Sequence, residues 1–277
     1  MSGCFDFAHL TPRCTALACA LMCVTVARAH PEIENGLAEL NPRIEATPND
    51  AAQYLDRGEL YARHADWIQA EANYLRAAEL SPRLPGLDRA RGALALRIGN
   101  PREAGGHFAR ALALDPRDAE TFILRNRARV ALGDRAGALA DLQHALRLIE
   151  SPRPELFLER AALIAAARDA VRSLDDGIAR IGPVHTLQLR AFQLEESAGL
   201  IDAALARLSV IAAQSERKEI WLKRRGDVLM HAGRIAEARA AYGAALAAIN
   251  SLPAWLRESP DSATLATELA RLSGRAS

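Results

Sequence analysis

Histidine and cysteine are the residues from which metal sites and strong nucleophiles are most often built, and here both are sparsely placed. Beyond residue 29 the histidines are His30, His64, His107, His144, His185 and His231. No two stand three or four residues apart and none lies in an HExxH arrangement, so no helical face offers a pair to zinc. All four cysteines (Cys4, Cys14, Cys19 and Cys23) precede residue 30, which leaves the rest of the chain without thiolates or disulfides. A GxSxG elbow, a GxxxxGKS phosphate loop and a GxGxxG turn after a strand are all absent from the sequence. Gly105-Gly106, just before His107, falls in a stretch that reads as helix, where it adds flexibility rather than an anion loop. The expectation is a chain that is not an enzyme and needs no cofactor and no metal.

What remains is the chemistry of charged surfaces. The chain has 33 arginines but only two lysines, Lys218 and Lys223, and a formal net charge of +1. The densest cationic run spans Arg217, Lys218, Lys223, Arg224 and Arg225 around Trp221. It reads either as the solvated start of a helix or as a receptor for an acidic segment. Residues 14 to 26 form an apolar run that follows Arg13 and ends at Ala27-Arg28-Ala29. That pattern predicts a secretory signal peptide over 1–29, cleaved between Ala29 and His30, with a periplasmic or secreted mature chain. The run is shorter than the roughly 20 residues that span a bilayer, so no integral membrane segment is expected after cleavage. Losing Arg13, Arg28 and Asp6 with the leader leaves a neutral chain, without the basic balance of a nucleic-acid binder.

The elements that must position these residues are legible in the spacing. Fifty-eight alanines, with 5% aromatic residues, favour helix over strand. Ala70, Ala104 and Ala138 are 34 residues apart, as are Ala170, Ala204 and Ala238 in a second series offset by two. Four residues after each comes a large apolar residue: Tyr74, Phe108, Leu142, Leu174, Leu208 and Tyr242. Gly58, Gly92 and Gly226 stand 12 residues before their alanines. Gly99, Gly133, Gly199 and Gly233 stand five residues before theirs, where a left-handed residue ends a first helix. Pro82 and Pro116 close their repeats. A small residue on one face lets two helices approach, and the large residue beside it fills the groove.

Over residues 51 to about 250 this series resembles the tetratricopeptide repeat (TPR) family. The resemblance implies an all-α, right-handed superhelical solenoid of about six helix–turn–helix motifs, at 51-84, 85-118, 119-152, 153-184, 185-218 and 219-252. Residues 30-50 form an N-terminal lead-in, with Ile33, Leu37 and Leu40 at helical intervals. Residues 253-277 form a connector and a C-terminal capping helix, with Asp261 as its N-cap and Trp255 packed on the last repeat. Two departures stand out. Asn126 and Arg129 replace apolar residues in the third motif, and the fourth has lost two residues at a turn placed at Arg168-Asp169.

In that family the first helices line a concave groove. The resemblance therefore implies partner binding by Leu55, Glu59, Arg63, Arg89, Arg97, Arg127, Gln193, Glu196, Lys223, Asp227 and His231. The carboxylate clamp of chaperone-binding members is missing, because Leu55 and Glu59 occupy two of its places. These charges are either a solvated face held by pairs such as Lys223 with Asp227, or a recognition cluster. Arg89, Arg97 and Arg127 are expected to converge on an acidic or C-terminal peptide. The expected function is a protein- or peptide-binding module, the alternative a fixed subunit of an envelope assembly.

Overall fold

The computed structural model describes residues 31–274. The leader, its Ala29/His30 cleavage point and His30 lie outside the described residues. Among the described residues every regular element is a helix. α1 (Pro31–Ala46) comes first. Six hairpins follow: α2 (Ala51–Arg63) with α3 (Trp67–Leu80), α4 (Leu87–Arg97) with α5 (Pro101–Leu114), and α6 (Ala119–Ala131) with α7 (Arg135–Leu148). Next come α8 (Pro154–Ala162) with α9 (Ala167–Ile181), α10 (His185–Ser197) with α11 (Ile201–Gln214), and α12 (Lys218–His231) with α13 (Ile235–Asn250). The short α14 (Ala254–Arg257) and α15 (Pro260–Leu272) end the order. Two compact units divide after Pro116, the first holding α1–α5 and the second α6–α15. No described helix is long and apolar enough to cross a membrane.

Local chemistry sets each hairpin. Asp66, Asn100 and Asp134 accept the backbone N–H three residues on, at the starts of α3, α5 and α7. Each such cap contributes about 1 kcal/mol. The residue just before or near that cap turns the chain: Gly99, Gly133, Gly199 and Gly233 have φ of 84°, 79°, 69° and 74°. In the first hairpin the same place is held by Ala65 at φ 61°, where a Cβ adds strain of about 1 kcal/mol.

Between the paired helices the repeat alanines are sealed: Ala70, Ala104, Ala138, Ala204 and Ala238 expose no surface. A Cβ on Gly58, Gly92 or Gly226 would stand 2.6 Å or less from the rings of Tyr74, Phe108 and Tyr242. The ring therefore lies on bare backbone. In the fourth hairpin Leu174 keeps the ring's place and is fully buried, and a different contact brings ring and backbone together: Phe157 on the first helix lies 2.7 Å from where a Cβ on Gly177, three residues beyond Leu174, would sit. In the fifth, Phe192 occupies the glycine's place and Leu208 the ring's, and both are buried in one cluster. Asn126 and Leu142, both buried, hold these places in the third.

The structure corrects several local expectations. The fourth hairpin turns at residues 163–166, and Arg168 and Asp169 belong to α9. Its shortening falls on α8, which has nine residues. The N-cap of α15 is Ser259, whose hydroxyl accepts from Ser262; Asp261 lies in the first turn. Trp255 is 77% exposed rather than packed on the last hairpin, because the four-residue α14 carries it outward. α1 runs on to Ala46 and buries Leu40 and Ile44.

Candidate functional site

A buried polar row follows the same period as the alanines. Arg57 Nε donates to Asn73 Oδ1 at 2.8 Å, across the first hairpin. Arg125 grips Asp141 with two bonds of 2.9 and 2.6 Å across the third. Arg129 adds a contact of 2.9 Å to Asp141 and donates to the Gly137 carbonyl at 2.8 Å. In the second hairpin His107 Nδ1 lies 2.8 Å from Asp88 Oδ1. The fifth inverts the row, with Arg207 on the second helix donating to Glu195 at 2.8 and 2.7 Å. Buried carboxylates and arginines satisfy one another here, so this row fixes the hairpins rather than offering charge to a ligand.

The sequence-predicted residues separate into three groups. Leu55 is 9% exposed and packs with Tyr74, Leu87 and Leu94, so it is core and faces no ligand. Glu59 is half-buried and Arg63 exposed on α2, both close enough to Tyr74 to act on its titration. Burial first, and then the charge of Glu59, push the Tyr74 hydroxyl well above the usual tyrosine range, while Arg63 opposes them. Arg89 and Arg97 belong to the first unit and stand at opposite ends of α4, so about 12 Å of helix separates them. Arg127 belongs to the second unit, where its Nη2 stands 3.5 Å from Glu159 Oε1. His231 is exposed at the end of α12.

The third group meets. Gln193 of α10 and Lys223 and Asp227 of α12 line one cleft of about 360 Å³ in the second unit. Its floor is Leu189, Phe192, Ile220 and Trp221, and Arg224 completes the rim. Trp221 is steadied by an edge-on contact with His185, at 5.4 Å between ring centroids. Leu189, Phe192 and Ile220 were not singled out in the sequence reading, and Trp221 and Arg224 entered it only as part of the cationic run. Phe192 carried a signal nonetheless, since it stands where Gly58, Gly92 and Gly226 stand in other repeats.

The rim charges are held within the chain. Lys223 Nζ reaches Asp227 and Glu268 of α15, each at 3.3 Å. Burial works against the ammonium, but the hydrogen bonds and charges of Asp227 and Glu268 outweigh it and raise the Lys223 pKa. Asp227 also accepts the Tyr242 hydroxyl at 3.0 Å. Arg224 Nη2 lies 2.6 Å from Glu196 Oε2. Arg225 donates to the Leu205 carbonyl at 2.9 Å, and Arg217 pairs with the buried Glu219. Arg217, Lys223 and Arg224 are thus paired with carboxylates of the chain and Arg225 with a carbonyl, so the run is not a set of five free cations. Among the described residues no group of three or more histidine, cysteine, aspartate or glutamate side chains is placed to hold a metal.

Comparison with known proteins agrees with this geometry. Residues 164–257 match a family model described as a tetratricopeptide repeat-like domain. The human tetratricopeptide repeat protein 16 is 26% identical over 132 residues, covering 45% of this chain but 15% of that protein, and the Macaca fascicularis counterpart matches equally. Among solved structures, PilW, a type IV pilus biogenesis factor, superposes with a TM-score of 0.54 at 20% identity, over 74% of this chain and 95% of its own. The MamA protein gives 0.53 at 19% identity, over 61% and 93%. A tetratricopeptide repeat protein from Parabacteroides merdae gives 0.51 at 16% identity, over 88% and 93%. These likenesses show the fold, a series of TPR-type helix hairpins, and the domain match places a tetratricopeptide repeat-like domain at residues 164–257.

Proposed function

We propose that the chain is a non-enzymatic module that holds a peptide or protein segment in the cleft between α10 and α12, outside the cytoplasm, after removal of residues 1–29. The α10–α12 cleft carries this reading. Four apolar side chains make a floor, and around it Gln193, Lys223, Arg224 and Asp227 offer donors and acceptors already held in place. A pre-formed apolar seat with a few fixed polar groups is the general pattern of a recognition pocket. The rim pairs are partly exposed, so an incoming segment exchanges bonds with them instead of stripping buried charge. Elsewhere in the second unit, exposed Arg127 favours acidic residues in a bound segment through bidentate hydrogen bonds.

Selection from a random peptide library, with Ile220→Asp as the counter-selecting variant, tests the seat. Retained peptides should share an apolar side chain and should lose binding to Ile220→Asp. Enrichment that is identical on both proteins overturns the assignment. For the export step, mass spectrometry of the extracytoplasmic protein should find His30 at the N-terminus, and a retained Met1 there overturns it.

A second reading, a fixed subunit of an envelope assembly, is favoured by Trp255, which is 77% exposed on its short helix. PilW is named as a pilus biogenesis factor, so this fold serves assembly in at least one case. A stable, salt-insensitive complex lost on Trp255→Ser would move the conclusion to this reading.

A further inference from the structure

The first unit carries an apolar groove of its own. Trp67, Ile68, Ala72 and Leu75 of α3, with Leu94 and Ile98 of α4 and its C-cap, line a groove of about 550 Å³. Ile68 is 80% exposed, Ile98 55% and Leu75 46%. The repeats supply their own control for this observation. At the position of Ile68 the other hairpins carry Arg102, Ala136, Arg168, Asp202 and Ala236. At the position of Leu75 they carry Ala109, Gln143, Asp175, Ser209 and Gly243. Packing of a hairpin therefore requires no large apolar residue at either place, and only the first has both. Exposed apolar side chains that the fold does not use mark a contact surface.

The charged residues lining this groove are both carboxylates, Glu71 and Glu103. Glu71 is met by Arg91 at 3.9 Å, and Glu103 accepts from Asn100 at 2.6 Å, so each keeps open acceptor capacity toward solvent. We infer that the groove takes an amphipathic helix of a partner protein, its apolar stripe flanked by lysine or arginine. The apolar residues of α3 run over about two helical turns, the span of an i, i+4, i+7 stripe. A helix brings its backbone hydrogen bonds with it, whereas an extended segment would lay unpaired N–H and C=O groups on an apolar floor that has no strand edge to receive them. Cationic flanks meet Glu71 and Glu103. A second copy of the same surface would instead bring carboxylates onto carboxylates.

The test uses the full chain and a labelled amphipathic probe peptide of about 16 residues, built from alanine, leucine and lysine. Anisotropy should show binding, and circular dichroism should show the peptide gaining helix. Replacing its lysines with glutamate, or placing two prolines within it, should weaken binding by about tenfold or more. Ile68→Ser with Leu75→Ser should do the same without moving the melting midpoint, since both side chains are exposed. Glu71→Gln with Glu103→Gln should abolish the preference for lysine. The inference is overturned if the lysine peptide fails to bind, if the glutamate peptide binds equally, or if the Ile68/Leu75 variant binds at full strength. It is also overturned if the chain self-associates through this face in a manner that Ile68→Ser removes. Trp221→Ala, in the other cleft, should leave probe binding unchanged; loss there would assign the peptide to the α10–α12 seat and sink the second surface alone.

Discussion

The second and fourth hairpins each set a ring on bare backbone, but from opposite helices and at different places along the pair. In the second, Gly92 on the first helix admits the Phe108 ring from the second; in the fourth, Phe157 on the first helix lies over Gly177 on the second. The helices in both are held by one ring and one bare backbone. What the fold requires is therefore a total volume across the contact, and either helix can supply the larger share. At the place of Gly92 and Phe108, the fifth hairpin, with Phe192 and Leu208, and the third, with Asn126 and Leu142, divide the volume differently again.

The sharpest way to break this comparison is to load one hairpin twice. Gly177→Phe alone places two rings in one gap and should cost at least about 3 kcal/mol. Adding Phe157→Gly moves the ring of that contact to the other helix and should restore most of that loss in thermal melting. A double variant no more stable than Gly177→Phe would show that position, not summed volume, governs the contact.

The third hairpin extends the comparison to charge. Asp141→Ala leaves Arg125 and Arg129 facing a buried gap and should cost about 2–3 kcal/mol by urea unfolding, since both arginines keep some solvent access. Asn73→Ala in the first hairpin, where no buried carboxylate is involved, should cost less. In the same third hairpin, Ala138→Leu should destabilise by about 2 kcal/mol, because Ala138 has no exposed surface to expand into.

The sixth hairpin allows the ring itself to be titrated. Burial first, and then the hydrogen bond to Asp227, push the Tyr242 hydroxyl from 10.0 up to about 12. The unfolded chain ionises first as pH rises, so this stabilisation is complete below pH 10 and falls away as pH climbs to about 12. Melting in that window should show an alkaline loss on the order of 1–2 kcal/mol from this group, and Tyr242→Phe should reduce the total while leaving the share that the raised Tyr74 hydroxyl contributes. The smallest effect is expected at the turn of the first hairpin. Ala65→Gly relieves the left-handed strain but loosens the unfolded chain, for a net gain of about 0.5 kcal/mol.

The period, the turn glycines and the sealed alanines were legible in the sequence because each depends on residues a fixed distance apart in one hairpin. The fourth hairpin resisted because its first helix is short and its ring, Phe157, lies on Gly177 outside the place that Leu174 keeps, and a rule tied to position sees only a missing glycine. Arg57 and Asn73, or Arg125 and Asp141, were visible as types at a common spacing of 16, but their pairing depends on which side chains face each other across the hairpin. The α10–α12 cleft was half legible: Gln193, Lys223 and Asp227 came from the resemblance, while Leu189 and Ile220 of its apolar floor carried no spacing that marked them. Charge misled most in the run from Arg217 to Arg225. The acceptors for those cations, Glu196, the Leu205 carbonyl and Glu268, lie on other helices at separations no local pattern sets.

Glu268 ties the far end of the chain to the mouth of the cleft. It sits on the last helix yet serves as a counter-ion to Lys223 on α12. A protease that cut the connector between α13 and α15 would leave all six hairpins covalently intact and still alter what the cleft offers. One carboxylate would depart with the released tail, Lys223 would keep only Asp227, and the seat would become more cationic by one charge. Limited digestion is thus a means of changing ligand preference without touching a cleft-lining residue, and the length of the purified chain belongs among the variables of any binding measurement.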